Sequence, residues 1–263
     1  MRNSSRALLV MGAGGGIGRA VAHRLAAAAS TQDLLVLADS NEGALNETAA
    51  GLEGENVLTV PADVSDPDDV HDLFDRIAGS GAALAQLVHA AGIHSVGSAM
   101  DASLADWNKV MSVNATGTFL VITAAARQML ATMNRNRAVV VVGSNAAGVP
   151  RSAMPVYAAS KAAAAALTRS LGLELAPHGI RCNTICPGST DTGMQREFWG
   201  NDPERGLESV LKGDAAQFRV GIPLGKIATP ADIAATAAFL LSEDAGHITM
   251  QDIYVDGGAT LRA

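Results

Sequence analysis

The sequence contains little cysteine, few aromatic residues and less basic than acidic charge. Of its 263 residues, 2 are cysteine and 3% are aromatic, and 19 Lys and Arg stand against 26 Asp and Glu, a formal net charge of −7. An acidic chain without a basic stripe is a poor partner for nucleic acid or for an anionic membrane. We therefore expect neither partner.

The two cysteines, Cys182 and Cys186, exclude a disulfide framework. They fall within one predicted strand, where four residues at ~3.3 Å each place them about 13 Å apart, too far for a disulfide. The six histidines form no spaced ligand set with them, so no metal site is predicted. Both thiols are expected to pack as small hydrophobic groups.

The sequence also lacks a long hydrophobic run. No continuous apolar stretch approaches the ~20 residues of a membrane helix, and the N-terminal segment leads into a five-residue strand rather than a signal peptide. We therefore expect a cytoplasmic protein. A hydrophobic content of 48% is enough for one large core, and a single domain spanning residues 1–263 is predicted.

Short apolar runs alternate with Ala-rich helical runs along the whole chain. Runs such as 57–60 and 139–142 are typical of strands that are buried on both faces. The alternation predicts an α/β fold, a single-domain Rossmann-like doubly wound parallel sheet of about seven strands with helices on both faces. The strands are predicted near residues 7–11, 34–38, 56–60, 85–90, 138–143, 181–186 and 252–255.

The first two predicted strands end in residues suited to a dinucleotide. The first runs into a glycine-rich turn before a helix predicted over residues 19–29, and such a turn lets the backbone approach a pyrophosphate. The second ends at Asp39, whose carboxylate can accept hydrogen bonds from ribose hydroxyls and would repel a 2′-phosphate. NAD is therefore the predicted cofactor. The residues predicted to bind it here are Gly12, Gly16, Ile17, Gly18 and Asp39.

Tyr157 and Lys161 begin an apolar helical run. Residues four apart share one face of a helix, and a neighbouring ammonium stabilises the phenolate of a tyrosine that otherwise titrates near pH ~10. The spacing favours a proton-transfer pair. A packed tyrosine ring beside a lysine that extends to solvent would explain the same spacing.

Several further motifs follow one another along the chain. In order with those above, they are Gly12-x-x-x-Gly16-x-Gly18, Asp39, Asp63-Val64, Ala90-Ala91-Gly92, Asn114, Ser144, Tyr157-x-x-x-Lys161 and Pro187-Gly188. Taken in this order, the motifs resemble those of the short-chain dehydrogenase/reductase family, and the resemblance spans nearly the whole chain. It implies a tetrad in which Tyr157 takes the substrate proton, Ser144 hydrogen-bonds the substrate oxygen, Lys161 holds the ribose and lowers the tyrosine pKa, and Asn114 anchors a water. A homotetramer and a substrate lid over residues 191–211 are also implied.

The resemblance also extends the NAD site beyond the glycine turn. Met11 and His89 depart from it, since the family usually has threonine and asparagine there. Loss of a hydroxyl at Met11 is expected to weaken the tie between the glycine turn and the fourth strand, and His89 to change how that strand meets the adenosine. The further NAD-binding residues implied are Asp63, Val64, Ala91, Gly92, Tyr157, Lys161, Pro187, Gly188 and Thr190.

Longer segments are similar to one branch of the family, the enzymes that oxidise 2,3-dihydro-2,3-dihydroxybenzoate in catechol siderophore biosynthesis. This resemblance implies that NAD oxidises the C3 hydroxyl of a cyclohexadiene carboxylate, after which the ketone tautomerises to a catechol. Alternatives are a trans-2,3-dihydro-3-hydroxyanthranilate dehydrogenase of secondary metabolism, an oxidoreductase for another cyclic alcohol, and a non-catalytic NAD-binding sensor. The intact tetrad argues against a sensor. The segments are 143–151, 187–195, 221–226 and 247–250.

A dihydroaromatic carboxylate substrate needs a cationic partner in the protein. Arg151 is suitably placed in sequence, six residues before Tyr157, and Arg196 in the predicted lid is the competing candidate. Either arginine is also explained as a solvated surface charge. The remaining predicted substrate contacts are Gln195 and the side chains Met154, Met194 and Trp199, which would wall a flat ring or pack in the core.

Overall fold

One parallel sheet organises the fold. The computed structural model describes residues 5–52, 56–132, 136–199 and 202–261. The strands are β1 (Arg6–Met11), β2 (Leu34–Asp39), β3 (Val57–Pro61), β4 (Ala83–His89), β5 (Arg137–Val142), β6 (Ile180–Pro187), β7 (Gly213–Asp214), β8 (Arg219–Val220) and β9 (Asp252–Val255). Seven of them form the sheet in the order β3-β2-β1-β4-β5-β6-β9, while β7 and β8 form a separate antiparallel hairpin.

Helices cover both faces of the sheet. One hydrophobic core lies between the sheet and helices α3, α5 and α6, and a second lies between the sheet and helices α1, α2 and α9. The prediction of a doubly wound α/β fold is confirmed. The helices are α1 (Gly16–Ala26), α2 (Glu42–Ala50), α3 (Pro67–Gly79), α4 (Leu104–Met111), α5 (Gly117–Leu130), α6 (Pro155–Leu175), α7 (Gly193–Trp199), α8 (Pro203–Lys212) and α9 (Pro230–Leu241).

The predicted strands lie within two residues of the observed ones, but the predicted bounds of the first helix are wrong. Helix α1 begins at Gly16, three residues before the predicted start, and ends at Ala26 rather than residue 29. Glycine has a low helix propensity, so local sequence alone does not indicate that Gly18 is helical. Close packing overrides that propensity, because a Cβ on Gly18 would lie 1.8 Å from the Gly12 carbonyl oxygen.

Helices α4 and α5 are joined by a π-helical turn, Ser112–Thr116, and form a run of 27 residues from Leu104 to Leu130. By length and composition alone this run could cross a membrane, although polar side chains interrupt it. In the described fold, 44% of its most apolar window is buried, and α5 packs against the sheet. We therefore assign the run to the core of the domain.

The two cysteines lie in β6 as buried thiols that are not joined in a disulfide. This placement agrees with the prediction that they pack as small hydrophobic groups. Burial raises the pKa of the Cys182 thiol to about 12, so that thiol stays protonated at neutral pH.

Candidate active site

A cavity of about 420 Å³ lies at the carboxyl ends of β4, β5 and β6. Ligands bind at this edge of an open parallel sheet, where the strand order reverses between β1 and β4. The cavity collects residues from distant parts of the chain. The predicted site residues that line it are Ile17, Gly92, Ser144, Arg151, Met154, Tyr157, Lys161, Pro187, Gly188, Thr190, Met194 and Gln195.

The glycine turn has a shape that only small residues can adopt. Gly12 has a φ of +86°, and a Cβ on it would lie 2.5 Å from the Ala91 backbone nitrogen. The turn therefore lies directly against the residues that follow β4. Gly14 is similarly close to Asp39, since its N–H donates to Asp39 Oδ2 at 2.8 Å. This close-packed backbone at the N-terminus of α1 fits a bound pyrophosphate.

Asp39 is fixed at the edge of the glycine turn. Besides the bond from Gly14, its Oδ1 accepts a hydrogen bond from the Asn41 N–H at 2.9 Å. The nearby guanidinium of Arg19 is engaged elsewhere, because it donates to the Gly14 carbonyl at 2.7 Å and to Glu47 at 3.1 Å. A fixed carboxylate at this position fits a dinucleotide that carries free ribose hydroxyls rather than a 2′-phosphate.

Asp63 and Val64 follow β3 and do not line the cavity. Asp63 is exposed, and its carboxylate accepts hydrogen bonds from the N–H and the hydroxyl of Ser65 at 2.8 and 2.7 Å. Val64 is buried against α5, where a Cβ on Gly117 would lie 2.6 Å from Val64 Cγ2. The described contacts of Val64 are therefore packing contacts, and its role in cofactor binding stays a prediction.

Ser144, Tyr157 and Lys161 face one another in the cavity. Ser144 follows β5, while Tyr157 and Lys161 lie on the first turns of α6. The Lys161 Nζ lies 5.9 Å from the centre of the Tyr157 ring and donates a hydrogen bond to the Val142 carbonyl at 3.0 Å. A hydroxyl, a phenol and an ammonium thus share one wall of the cavity.

Burial dominates the electrostatics of this group. It raises the pKa of the Tyr157 phenol, and interaction with the Ser144 hydroxyl opposes that rise. Burial also lowers the pKa of the Lys161 ammonium to about 8. Burial thus outweighs the one interaction that lowers the pKa of Tyr157, and the lowering of that pKa by Lys161 stays a prediction.

Asn114 lies in the π-helical turn and is fully buried. Its side-chain amide donates to the Ile93 carbonyl at 2.8 Å and to the Ser160 hydroxyl at 2.9 Å, and its oxygen accepts from the Ile93 N–H at 2.9 Å. Gly92 allows this approach, since a Cβ there would lie 3.1 Å from Asn114 Oδ1 and 3.0 Å from Lys161 Nζ. The side chain therefore positions the backbone after β4, and water anchoring stays a prediction.

Met11 and His89 are register partners on β1 and β4. The tie between these strand ends is made by the backbone, where the Ala90 N–H donates to the Met11 carbonyl at 2.7 Å. His89 is buried and bonds the Thr118 hydroxyl on α5 at 3.1 Å. Its imidazole thus faces α5 in the core, and the expected effect of His89 on how the strand meets the adenosine stays a prediction.

The predicted substrate residues divide into two groups. Arg151, Met154, Met194 and Gln195 line the cavity. Arg196 does not, because its exposed side chain pairs with Asp191 at 2.9 Å. Trp199 is also outside the lining, since its ring packs within 2.5 Å of the position that a Cβ on Gly206 would take. The structure therefore does not bring Arg196 or Trp199 into the cavity, and a surface charge and a packed ring, the alternatives that the sequence left open, describe their observed contacts.

Sequence reasoning missed several polar residues of the cavity, among them His94, Gln217 and Arg219. Gln217 and Arg219 belong to the β7–β8 hairpin, far from Tyr157 in sequence. No local pattern marks them as site residues, because hairpin strands of two residues carry no recognisable periodicity. Their contact with the site arises only in the folded chain.

Comparison with known proteins places this site in a family. A short-chain dehydrogenase family model, described as enoyl-(acyl carrier protein) reductase, matches residues 12–260. The chain is 43% identical to 2,3-dihydro-2,3-dihydroxybenzoate dehydrogenase of Bacillus subtilis (strain 168), over 96% of this chain and 95% of the relative. It is 46% identical to the enzyme of the same name from Escherichia coli (strain K12), over 76% and 79% of the two chains.

A solved structure agrees with these relatives. The crystal structure of levodione reductase aligns with a TM-score of 0.89 at 28% identity and covers 100% of both chains. The dehydrogenases of this kind use nicotinamide cofactors, which fits the glycine turn and the carboxylate at the end of β2. The chain belongs to the short-chain dehydrogenase/reductase family.

Proposed function

We propose that this chain is an NAD-dependent dehydrogenase that oxidises the C3 hydroxyl of 2,3-dihydro-2,3-dihydroxybenzoate to give 2,3-dihydroxybenzoate, in catechol siderophore biosynthesis. The observation that carries the proposal is the single cavity that holds Ser144, Tyr157 and Lys161 together with Arg151. The first three groups suit oxidation of an alcohol, and the fourth suits a carboxylate. The names of the relatives from Bacillus subtilis and Escherichia coli support the same substrate.

Tyr157 acts as the base in the proposed reaction. Its phenolate accepts the proton of the substrate hydroxyl, while the Ser144 hydroxyl hydrogen-bonds the same oxygen as it becomes a carbonyl. The ammonium of Lys161 favours the phenolate and binds the ribose. When NAD is bound, its nicotinamide ring would supply the acceptor for the hydride that leaves C3 of the substrate.

The choice of NAD over NADP is assigned to Asp39. Its carboxylate stands beside the glycine turn, with both oxygens held by backbone N–H groups. A 2′-phosphate near this fixed negative charge would be repelled, and Arg19 is already engaged by Gly14 and Glu47. The remaining members of the proposed NAD site are Gly12, Gly16, Ile17, Gly18, Asp63, Val64, Ala91, Gly92, Pro187, Gly188 and Thr190.

The product of the proposed oxidation is an unstable ketone. Loss of the proton at C2 converts it to an aromatic catechol, and this step makes the overall reaction effectively irreversible. Apolar side chains suit the flat ring, and Met154 and Met194 line the cavity. Residues 191–211 are proposed as a lid, because Met194 and Gln195 on α7 reach the cavity from that segment.

The wider setting of the enzyme is proposed from family resemblance. Homotetramers are usual in the family, and a biosynthetic enzyme with this substrate would act in the cytoplasm. The tetramer has a simple test, since four chains of 26.8 kDa each would be resolved from a monomer by mass photometry. A monomer at enzymatic working concentration would contradict it.

The proposed substrate is tested by following NADH at 340 nm with purified protein and NAD. 2,3-Dihydro-2,3-dihydroxybenzoate and trans-2,3-dihydro-3-hydroxyanthranilate are supplied in separate reactions, with Tyr157→Phe as the control. Turnover of the dihydroxy acid, lost in Tyr157→Phe by a factor of about 10² to 10⁴, is the expected result. Turnover of the amino acid alone would contradict the proposed substrate. If neither compound is oxidised, oxidation of a cyclohexadiene carboxylate is contradicted altogether.

A further inference from the structure

Two arginines face the cavity without partners of opposite charge. Arg151 and Arg219 both line it, and the side chain of neither forms a hydrogen bond or an ion pair with any residue of the described ranges. This is unusual in the chain, since half-buried arginines elsewhere bond to carboxylate or carbonyl oxygens. Those arginines are Arg6, Arg19, Arg137 and Arg181.

The two guanidinium groups act on each other. Burial lowers the pKa of Arg151, and the charge of Arg219 lowers it further, while Asp256 has the opposite effect. The Nε of Arg219 is buried and has no hydrogen-bond partner in the part of the chain that the structure describes. Two close cations that are partly removed from water are unfavourable unless an anion binds between or beside them.

No carboxylate of the described residues forms an ion pair with Arg151 or Arg219. Asp214 is the register partner of Arg219 across the hairpin, but its carboxylate accepts a hydrogen bond from the Ala216 N–H at 2.9 Å. The carboxylate of Asp256 accepts from the N–H groups of Gly258 and Thr260 at 3.0 and 3.1 Å. The donors of the two arginines are therefore left for a ligand.

The hairpin that carries Arg219 is fixed relative to the cavity. A Cβ on Gly221 would lie 2.0 Å from the Leu211 carbonyl oxygen, and that carbonyl accepts a hydrogen bond from the Ile222 N–H at 3.0 Å. At the tip, the Ser152 hydroxyl donates to Gln217 Oε1 at 3.2 Å. This last contact joins the hairpin to the loop that carries Arg151.

We propose that Arg219 and Arg151 together bind the carboxylate of the substrate, and that this pair selects carboxylate-bearing cyclic alcohols over neutral ones. The inference rests on the proposed function and deepens it, since it names the residues that read the acid group. Each guanidinium can present two parallel N–H groups to a carboxylate. The carboxylate would be held at the hairpin side of the cavity, with the ring between it and Tyr157.

The first test is ligand binding, which does not depend on catalysis. Titration calorimetry compares 2,3-dihydroxybenzoate with catechol, which has the same ring and hydroxyls but no carboxylate, on the full chain and on Arg219→Gln. We expect Arg219→Gln to bind the acid about 10- to 100-fold more weakly, since a charge-assisted hydrogen bond is lost. Catechol affinity should be unchanged. Unchanged affinity for the acid would overturn the proposal.

Three further variants separate a specific role from general damage. Arg151→Gln should weaken acid binding as Arg219→Gln does, and Arg219→Lys should give an intermediate loss because it keeps the charge but not the planar fork. Arg76→Gln is the matched control, since it removes an equal charge from an exposed arginine on α3 that does not line the cavity, and it should change acid affinity less than about twofold. An equal loss in Arg76→Gln would overturn the proposal.

Kinetics then distinguish failure of this inference from failure of the proposed function. In the wild type we expect a higher kcat/KM for the dihydroxy acid than for cyclohexa-3,5-diene-1,2-diol, which lacks the carboxylate. Arg219→Gln should abolish that preference by lowering only the acid value. If both arginines are needed for binding of the acid but the dihydroxy acid is not oxidised, the proposed function is contradicted and the carboxylate site is supported. If the dihydroxy acid is oxidised at the same rate in both arginine variants, the carboxylate site is contradicted and the proposed function is supported.

Discussion

At the scale of single residues, the site is governed by desolvation. Tyr157 and Lys161 are both shifted toward their neutral forms, with the tyrosine pKa raised and the lysine pKa lowered to about 8. The proposed reaction needs the opposite states, a phenolate and an ammonium. Catalysis therefore depends on how the fraction of Tyr157 phenolate and the fraction of Lys161 ammonium change with pH.

The pH dependence of kcat/KM follows from these two shifts. Below pH 8 the lysine is charged and the fraction of phenolate rises tenfold per pH unit, so we expect log kcat/KM to rise with unit slope. Above about pH 8 the loss of ammonium offsets the gain in phenolate, and the profile becomes level. In Lys161→Arg the cation keeps its proton, and the rise should continue past pH 8. If the profile also becomes level near pH 8 in Lys161→Arg, titration of Lys161 is not the cause of the change in slope.

A second prediction at this scale concerns Asp39 and the choice of cofactor. Asp39→Asn keeps an oxygen that can accept a backbone hydrogen bond but removes the negative charge. We expect the ratio of kcat/KM with NAD to that with NADP to fall by about 10-fold or more, because the repulsion of the 2′-phosphate is lost. Steady-state kinetics with both cofactors measure it. An unchanged ratio would assign cofactor choice to other residues.

At the scale of helices and strands, local sequence patterns predicted most of the fold. The strands were predictable because runs such as 139–142 are apolar, short and bounded by turn residues. The start of α1 was not, since Gly18 is required by its close contact with Gly12 and is not favoured by local helix propensity. Arg196 illustrates a missed local signal, because Asp191 five residues earlier pairs with it. Arg219 had no such signal.

The packing of α1 against the glycine turn gives a prediction with a matched control. In Gly18→Ala the new Cβ would lie 1.8 Å from the Gly12 carbonyl oxygen, whereas a Cβ on Gly15 meets no described atom within 4 Å. We expect Gly18→Ala to lower the free energy of unfolding by about 1–3 kcal/mol and to weaken NADH binding. Gly15→Ala should stay within about 0.5 kcal/mol. Urea denaturation and fluorescence titration measure the two effects, and equal stability of both variants would refute the packing argument.

The contact between β4 and α5 gives a prediction about acid stability. Burial and then the charge of Lys161 lower the pKa of His89 from 6.5 to about 3. Between pH 6.5 and 3 this histidine is protonated in the unfolded chain but neutral in the folded chain. Its contribution to stability is therefore fully present above pH 6.5 and is lost as the pH falls toward 3. At 1.36 kcal/mol per unit, the loss from this group between pH 6.5 and 5 is about 2 kcal/mol.

The variant His89→Asn removes that titration while keeping a polar partner for Thr118. Urea unfolding at pH 7.5 and at pH 5 should show a smaller loss of stability in His89→Asn than in the wild type, by about 2 kcal/mol. The same loss in both proteins would mean that His89 is protonated in the folded chain, or that other groups dominate the acid response.

At the scale of the whole molecule, function depends on bringing distant segments to one edge of the sheet. The cavity draws on the ends of β4, β5 and β6, on α6 and α7, and on the β7–β8 hairpin. The sequence predicted the family, and it marked Ser144, Tyr157 and Lys161, which the fold gathers in one cavity, because they lie at a strand end and on one helix face. It could not predict the wall of the cavity that Arg219 contributes, since that wall depends on a long-range contact.

Oxidation at C3 of the dihydroxy acid is tested most directly by following the transfer of deuterium from the substrate to the cofactor. The substrate is prepared with deuterium at C3 or at C2, each form is turned over with NAD, and the reduced cofactor is analysed by mass spectrometry. Deuterium at C3 should appear in the reduced nicotinamide, and deuterium at C2 should pass to solvent when the ketone tautomerises. Oxidation at C3 would be contradicted if deuterium from C2 appeared in the cofactor, or if neither labelled substrate gave reduced cofactor.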